Sequence, residues 1–281
     1  FFILIKSYLL MKRIDIKDIT FLIPIRLDSI VRLENLILSI DYLYKHFCCN
    51  IIVVEASNYD SLIANRLVSP KATYIHIEDF DNIFYRTKYI NYLTQLSATK
   101  YIAIWDADII ISKEQIVQAL HLLNEGVEVV FPYDGRFYDT SEILREIYIN
   151  KRDIRIFKRN INKMFLRYGD DAVGGAIFLN KESYLYSGME NIDFYGWGPE
   201  DYERYLRWKK LGLKMSRVDG PLFHLSHERG SDSRMRSSIQ AMSTNDEIRK
   251  LMNMTKEELL LDIEKRNERW NELVQDINQS E

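Results

Sequence analysis

Two carboxylates, Asp106 and Asp108, follow the run Tyr101-Ile102-Ala103-Ile104-Trp105 and precede Ile109-Ile110-Ile111. Apolar, β-prone residues in such a run read as a buried strand of a parallel sheet. Asp is seldom buried unless it is paired or bound to metal. The two acids therefore belong at the strand's carboxyl end, where open α/β sheets bind ligands. Residues two apart in extended backbone point the same way, so both carboxylates are expected to face one divalent cation. Oxygen ligands suit Mg²⁺ or Mn²⁺ beside substrate phosphates. The competing reading is a solvated, strand-ending turn, because Asp-x-Asp is short and common.

Further reactive types cluster in the second half. Asn191-Ile192-Asp193-Phe194-Tyr195-Gly196-Trp197-Gly198-Pro199-Glu200-Asp201 leads into a helix expected from Tyr202 to Leu211. Acids at a helix start are favoured by the dipole alone. That does not explain a tryptophan held between glycines just before them. An aromatic face suits the apolar side of a pyranose, and a carboxylate suits its hydroxyls. Pro221-Leu222-Phe223-His224-Leu225-Ser226-His227 follows, with two of the five histidines three residues apart. Imidazole suits transition metals better than Mg²⁺, so His224 and His227 are candidate ligands alongside Asp108; polar surface histidines are the plain alternative. Residues 228–240, rich in Gly, Ser, Asp and Arg, read as a lid over bound substrate.

Certain elements must position these groups. Thr20–Ile25 reads as a strand, with Asp28 or Ser29 capping a helix marked by Ile30, Leu33, Leu36, Ile37 and Ile40. Strands at 50–55 and 74–77, a helix at 86–97 and the strand at 101–105 complete a doubly wound half of the nucleotide-binding kind. Arg26 closes the first strand and suits a phosphate or base edge. Arg86 and Lys88 open a helix, where an anion is favoured. Pro24 and Glu55, near the ends of the first two strands, are further candidates for a nucleotide-sugar site. Helix 113–124, strand 127–133 and a helical stretch at 141–167 follow. Seven Lys/Arg against one acid between Lys151 and Arg167 suggest a basic helix, either a core-packing helix with a solvated basic face or a contact for an anionic membrane or pyrophosphate-lipid acceptor. Val173-Gly174-Gly175 entering a strand suggests close approach of backbone to a ligand. Helices at about 243–253 and 255–275 end the chain, with Leu251, Met252, Leu259, Leu260, Ile263 and Trp270 docking on the core.

Composition narrows the classes. The 281 residues are 47% apolar and 28% charged with net charge −3, so no global basic field argues for nucleic acid. The cysteines, Cys48 and Cys49, are adjacent and cannot build a disulfide framework, which fits a reducing compartment. Residues 1–10 are apolar but interrupted by Lys6, too short to span a bilayer and without a cleavage site. The expectation is a cytoplasmic protein, with peripheral contact at the inner face of a membrane through 151–167.

Together these residues resemble the GT-A glycosyltransferases, in particular the inverting beta-1,4-galactosyltransferase family and its bacterial relatives that build capsule or chondroitin-like polymers. The resemblance covers roughly residues 18–235. It rests on Arg26, Arg86, Asp106-Ala107-Asp108, Gly174-Gly175, Gly196-Trp197-Gly198-x-Glu200-Asp201 and His227, in that order. It implies a GT-A fold: a mixed, mostly parallel sheet flanked by helices. It implies that Arg26 and Arg86 contact the UDP of a donor and that Asp106 orients its ribose or sugar. Asp108 and His227 would ligate Mn²⁺, or Mg²⁺ in its place, with His224 where the family carries a methionine. Gly175, Trp197, Gly198 and Glu200 would line the sugar and acceptor sites, and Asp201 would be the catalytic base. Pro199 and Tyr202-Glu203 depart from the family pattern on the acceptor side.

The expected organisation is an extension at 1–17, a catalytic domain at 18–242 and a helical extension at 243–281. The catalytic domain divides into a nucleotide-binding half at 18–112 and an acceptor half at 113–242. The expected function is metal-dependent inverting transfer of galactose or N-acetylgalactosamine from a UDP-sugar to a glycan or lipid-linked glycan. Two other readings compete. One is a non-catalytic carbohydrate-binding or scaffolding subunit of a polysaccharide assembly. The other is a sugar nucleotidyltransferase, disfavoured because Ile25-Arg26-Leu27-Asp28-Ser29 lacks glycine for a triphosphate loop.

Overall fold

The computed structural model describes residues 13–60, 62–228, 230, 235 and 237–278, the side chains of 275–278 excepted. Residues 229, 231–234 and 236 of the expected lid at 228–240 lie outside the described residues, as does the apolar stretch at 1–10. Among the described residues no helix is long and apolar enough to cross a membrane.

Strand β1 (Ile14–Ile25) is buried along its second half and feeds helix α1 (Ile30–His46). The α1 cap is Ser29, whose side chain accepts from the Arg32 amide. Strand β2 (Phe47–Ser57), short helix α2 (Ile63–Val68), strand β3 (Thr73–Glu78), helix α3 (Arg86–Leu96) and strand β4 (Tyr101–Trp105) follow. All five residues of β4 are buried, as its apolar run predicts. Next come β5 (Ile109–Ile110), α4 (Lys113–Asn124), β6 (Val129–Phe131) and β7 (Phe137–Asp139).

The stretch at 141–167 departs from expectation. Helix α5 (Glu142–Lys151) stops because Arg152 takes a left-handed conformation at φ 52°. The side chain of Asp153 accepts from the Arg155 amide and opens a separate short helix, α6 (Arg155–Arg159). A single 3₁₀ turn and strand β8 (Phe165–Arg167) complete the segment. The basic residues therefore do not share one helix face. Of the proposed apolar face, Phe157 is buried while Phe165 is exposed.

The chain continues through β9 (Ala176–Asn180), α7 (Lys181–Tyr186), α8 (Glu200–Leu211), β10 (Met215–Arg217) and β11 (Leu222–His224). Helices α9 (Ser238–Asn253) and α10 (Lys256–Asn278) end it, α9 starting earlier than its sequence pattern suggests. Leu251, Leu259 and Ile263 pack with Leu211 in a second small core, and Trp270 joins the main one. Met252 does not dock; it is 65% exposed.

The seven-stranded sheet runs β10-β6-β9-β4-β1-β2-β3. Only β9 is antiparallel to its neighbours, β4 and β6. A second sheet, β5-β11-β7-β8, lies beyond the carboxyl end of β4 in sequence and brings Ile109, His224, Asp139 and Phe165 into one cross-strand row.

Candidate active site

The site forms where β4 ends. Asp106 donates its backbone N–H to the Gly175 carbonyl at 2.9 Å, so the turn after β4 is pinned to the glycines entering β9. That turn breaks the extended geometry, and the two acids part company. Asp106 accepts from Arg86 at 2.7 Å. Asp108 instead faces the histidines, with its Oδ2 3.4 Å from His224 Nε2 and 3.1 Å from His227 Nε2. The expectation that both carboxylates share one cation is corrected accordingly.

Asp108, His224 and His227 offer one ligand atom each, all within 4.8 Å of one another. Backbone pairing builds this cluster: β5 runs antiparallel to β11, and Leu225 donates its N–H to the Asp108 carbonyl at 2.7 Å. His227 Nδ1 lies 2.7 Å from the Glu228 carbonyl oxygen, an arrangement in which Nδ1 carries the proton and Nε2 is left for a metal. Burial opposes the Asp108 charge, but the two imidazoles hold its carboxyl well below the ordinary range. Conversely burial lowers and Asp108 raises the His224 imidazole, with a net rise to about 9. One carboxylate with two imidazoles fits Mn²⁺ better than Mg²⁺, which favours oxygen throughout.

Arg86, at the first position of α3, is ringed by acids. Besides Asp106, its Nη1 stands 3.6 Å from Asp201 and 3.8 Å from Glu200. That Nη1 is buried and makes no hydrogen bond among the described residues, so it is a donor ready for an anion. Asp201 sits in the first turn of α8, its Oδ1 accepting from Arg204 at 2.6 Å. A Cβ on Gly174 would lie 2.3 Å from Asp201 Oδ2. Thus Gly174 makes room for a side chain of the protein itself, while Gly175 takes a left-handed φ of 82° with Phe137 and Leu222 close to where its Cβ would stand. Glu200 is buried and accepts from the Gly198 amide at 3.1 Å. Its carboxyl is pushed up to about 8, first by burial and then by the charge of Asp201.

A cavity of about 590 Å³ gathers Pro24, Arg86, Asp106, Asp108, Gly175, Trp197, Gly198, Glu200, Asp201, His224 and His227. Trp197 is 38% exposed there, as a loop position between glycines allows. Arg26 and Glu55 line a second cavity instead, of about 510 Å³, at the carboxyl ends of β1 to β3. The Arg26 guanidinium holds that wall together, donating to the Ala56 and Asp81 carbonyls and to Asp79. Glu55 accepts from Tyr74 and Ser57.

Sequence reasoning missed Arg204, Glu190 and Asp139. Arg204 is fully buried, bridging Glu190 and Asp201. Three-residue spacing on one helix signals its contact with Asp201, whereas nothing local signals Glu190. Asp139 meets His224 only through strand pairing.

This sheet delivers metal-type donors, an anion-seeking arginine and a carboxylate to one cleft, and its fold is that of the GT-A class. Within that class, residues 155–228 match the family described as the N-terminal domain of galactosyltransferase. Beta-1,4-galactosyltransferase 7 from Mus musculus is 31% identical over 163 residues, 56% of this chain and 40% of that protein. The Homo sapiens protein is 32% identical over 162 residues, 55% and 40% respectively. The chain thus spans well under half the length of these relatives. The Drosophila beta-1,4-galactosyltransferase 7 catalytic domain with xylobiose superposes with a TM-score of 0.53 at 17% identity, covering 82% of this chain and 80% of that one. A mutant of the Drosophila protein, holding manganese, UDP-Gal and xylobiose, gives 0.52 at 16%, covering 81% and 79%. The chain has a GT-A fold and is similar over part of its length to galactosyltransferases.

Proposed function

We propose that this protein is a metal-dependent inverting glycosyltransferase that moves galactose or N-acetylgalactosamine from a UDP-sugar to a hydroxyl of a glycan or lipid-linked glycan. The observation that carries this reading is the meeting, in one cavity, of the Asp108–His224–His227 donor set, the open Arg86 Nη1 and Asp201. The manganese and UDP-Gal of the Drosophila complex support it.

Departure of UDP breaks the bond between the sugar's anomeric carbon and the β-phosphate oxygen, and negative charge grows on the diphosphate. Mn²⁺ bound at Asp108, His224 and His227 would supply Lewis-acid neutralisation of that charge. Arg86 adds a preorganised donor in a partly dry site. The acceptor hydroxyl attacks the anomeric carbon from the opposite face, forming the new C–O bond. Asp201 takes its proton as general base. Trp197 offers a flat apolar face to a sugar ring, and Arg204 holds the Asp201 carboxylate through its Oδ1. Arg26 and Glu55 shape the neighbouring cavity for the nucleoside.

The deciding experiment measures thermal stability with UDP, with and without Mn²⁺. A ligand that binds only the folded state raises Tm by mass action. A rise that needs both UDP and Mn²⁺ and disappears in Asp108→Ala is expected. Absence of any nucleotide-dependent rise overturns the reading.

A further inference from the structure

We infer that Asp139 is a positioning residue for the metal site: its carboxylate orients the His224 ring so that Nε2 faces the cation. The inference rests on the metal-site reading above and adds to it a residue outside the ligand set. Strand register places the two residues side by side. His224 stands opposite Ile109 on one side, in antiparallel pairing, and opposite Asp139 on the other, in parallel pairing. Across the ring, Nδ1 lies 2.9 Å from Asp139 Oδ1, close but out of line for a hydrogen bond, while Nε2 turns to Asp108; both Nδ1 and Oδ1 are buried with no other hydrogen-bond partner among the described residues.

An imidazole has two distinct nitrogens, and the one facing an oxygen acceptor carries the proton, leaving the other's lone pair for a metal. The two histidines solve this differently. His227 uses the backbone carbonyl of Glu228. His224 is buried against the Phe137 ring at 5.5 Å, and the group its Nδ1 faces is the Asp139 carboxylate. A carboxylate behind the ring also strengthens it as a donor.

Asp139 is itself held. Arg167, on the edge strand β8, donates from Nε to Asp139 Oδ2 at 2.8 Å, and its Nη2 pairs with the same oxygen. Oδ2 is thereby occupied, and Oδ1 is the oxygen presented to His224. The second sheet so becomes a relay laid across its strands: Arg167 clamps Asp139, Asp139 orients His224, and His224 faces the cation beside Asp108. A thioether at position 224 would have no second nitrogen to orient and would leave this relay without a purpose.

The test is Mn²⁺ binding by the full chain, followed through the electron paramagnetic resonance signal of free Mn²⁺. Loss of such a partner typically weakens metal affinity about 10–100-fold. Asp139→Asn is expected to do so while the metal-free protein keeps its far-UV circular dichroism and Tm. A double-mutant cycle separates orientation from general damage. In a His224→Met background, Asp139→Asn should change Mn²⁺ affinity by less than about twofold. Equal weakening in both backgrounds, or none in either, overturns the inference. Should Asp139→Asn not fold, Arg167→Gln is the second variant, expected to weaken Mn²⁺ binding only when His224 is present. Mn²⁺ binding that survives Asp108→Ala would overturn the metal-site reading itself. Binding lost in Asp108→Ala but indifferent to Asp139 and Arg167 overturns this inference alone.

Discussion

Glu200 and Asp201 are sequence neighbours with different surroundings. Glu200 is buried, caps its own loop through the Gly198 amide, and has its carboxyl raised to about 8 by burial and by Asp201. Asp201 faces the cavity between Arg204 and Arg86. The first is a buried strut whose carboxyl is kept protonated to higher pH by burial, and the second is the proposed base. Asp201→Asn keeps the shape and the Arg204 contact but removes the proposed base. Transfer should fall by about 10²–10⁴-fold, with UDP and Mn²⁺ binding close to wild type by calorimetry. Loss of nucleotide binding instead would count against the role. Glu200 carries a pH prediction. Its folded pKa lies above the unfolded one, so the folded state binds more protons between them. Its contribution to stability is complete at low pH and is lost as pH rises from about 4.5 through about 8. In Glu200→Gln that slope disappears. The Tm of the variant relative to wild type should therefore climb between pH 5 and 8.5, measured without metal.

At the scale of elements, the approach of α8 to the start of β9 sets the place of Asp201, the proposed base. Gly174 has no unusual φ, yet a Cβ there would press on Asp201 Oδ2 at 2.3 Å. Gly174→Ala is thus expected to leave a folded protein that binds UDP and transfers poorly, which kcat and a melting curve read separately. Beneath Asp201, Arg204 spans to Glu190, which is wholly buried and also accepts from Tyr184. Breaking a buried pair strands a charge, at a cost of about 3–5 kcal/mol, so Arg204→Met should lower denaturant stability by that order. What the sequence made legible follows from which forces are local. The β4 run, the Ser29 cap and the Gly196-Trp197-Gly198 turn are written in adjacent residues, and each stands where local chemistry puts it. The stretch at 141–167 was illegible because its helical periodicity hides a left-handed Arg152 and a strand whose partner, β7, lies some 30 residues back. For the same reason Asp108, His224 and His227 could be named as donors from their types, while Asp139, Arg204 and Glu190 needed the pairing of β7 with β11 and the packing under α8 to be seen.

The whole molecule makes the C-terminal helices part of the site. Gln240 on α9 donates from Nε2 to the Tyr195 and Trp197 carbonyls, at 3.1 and 3.0 Å, and Thr244 packs where a Gly198 Cβ would point. Asn245 lines the main cavity. Helix α10 then locks this arrangement, because Ile263 fills the space beside Gly188, and Leu259 and Ile263 pack on Leu211 at the end of α8. Trp270 ties the same helix into the main core. One cooperative unit should result. Leu259→Ala removes a fully buried side chain, at about 2–5 kcal/mol, and at roughly 2–4 °C per kcal/mol for a chain of this size it should lower Tm by about 4–20 °C. The fall should appear as a single transition, coincident by far-UV circular dichroism and tryptophan fluorescence. An early, separate loss of α9 and α10 with the remaining signal unchanged would mean that these helices are an appendage, and the Trp197 loop would then need another support.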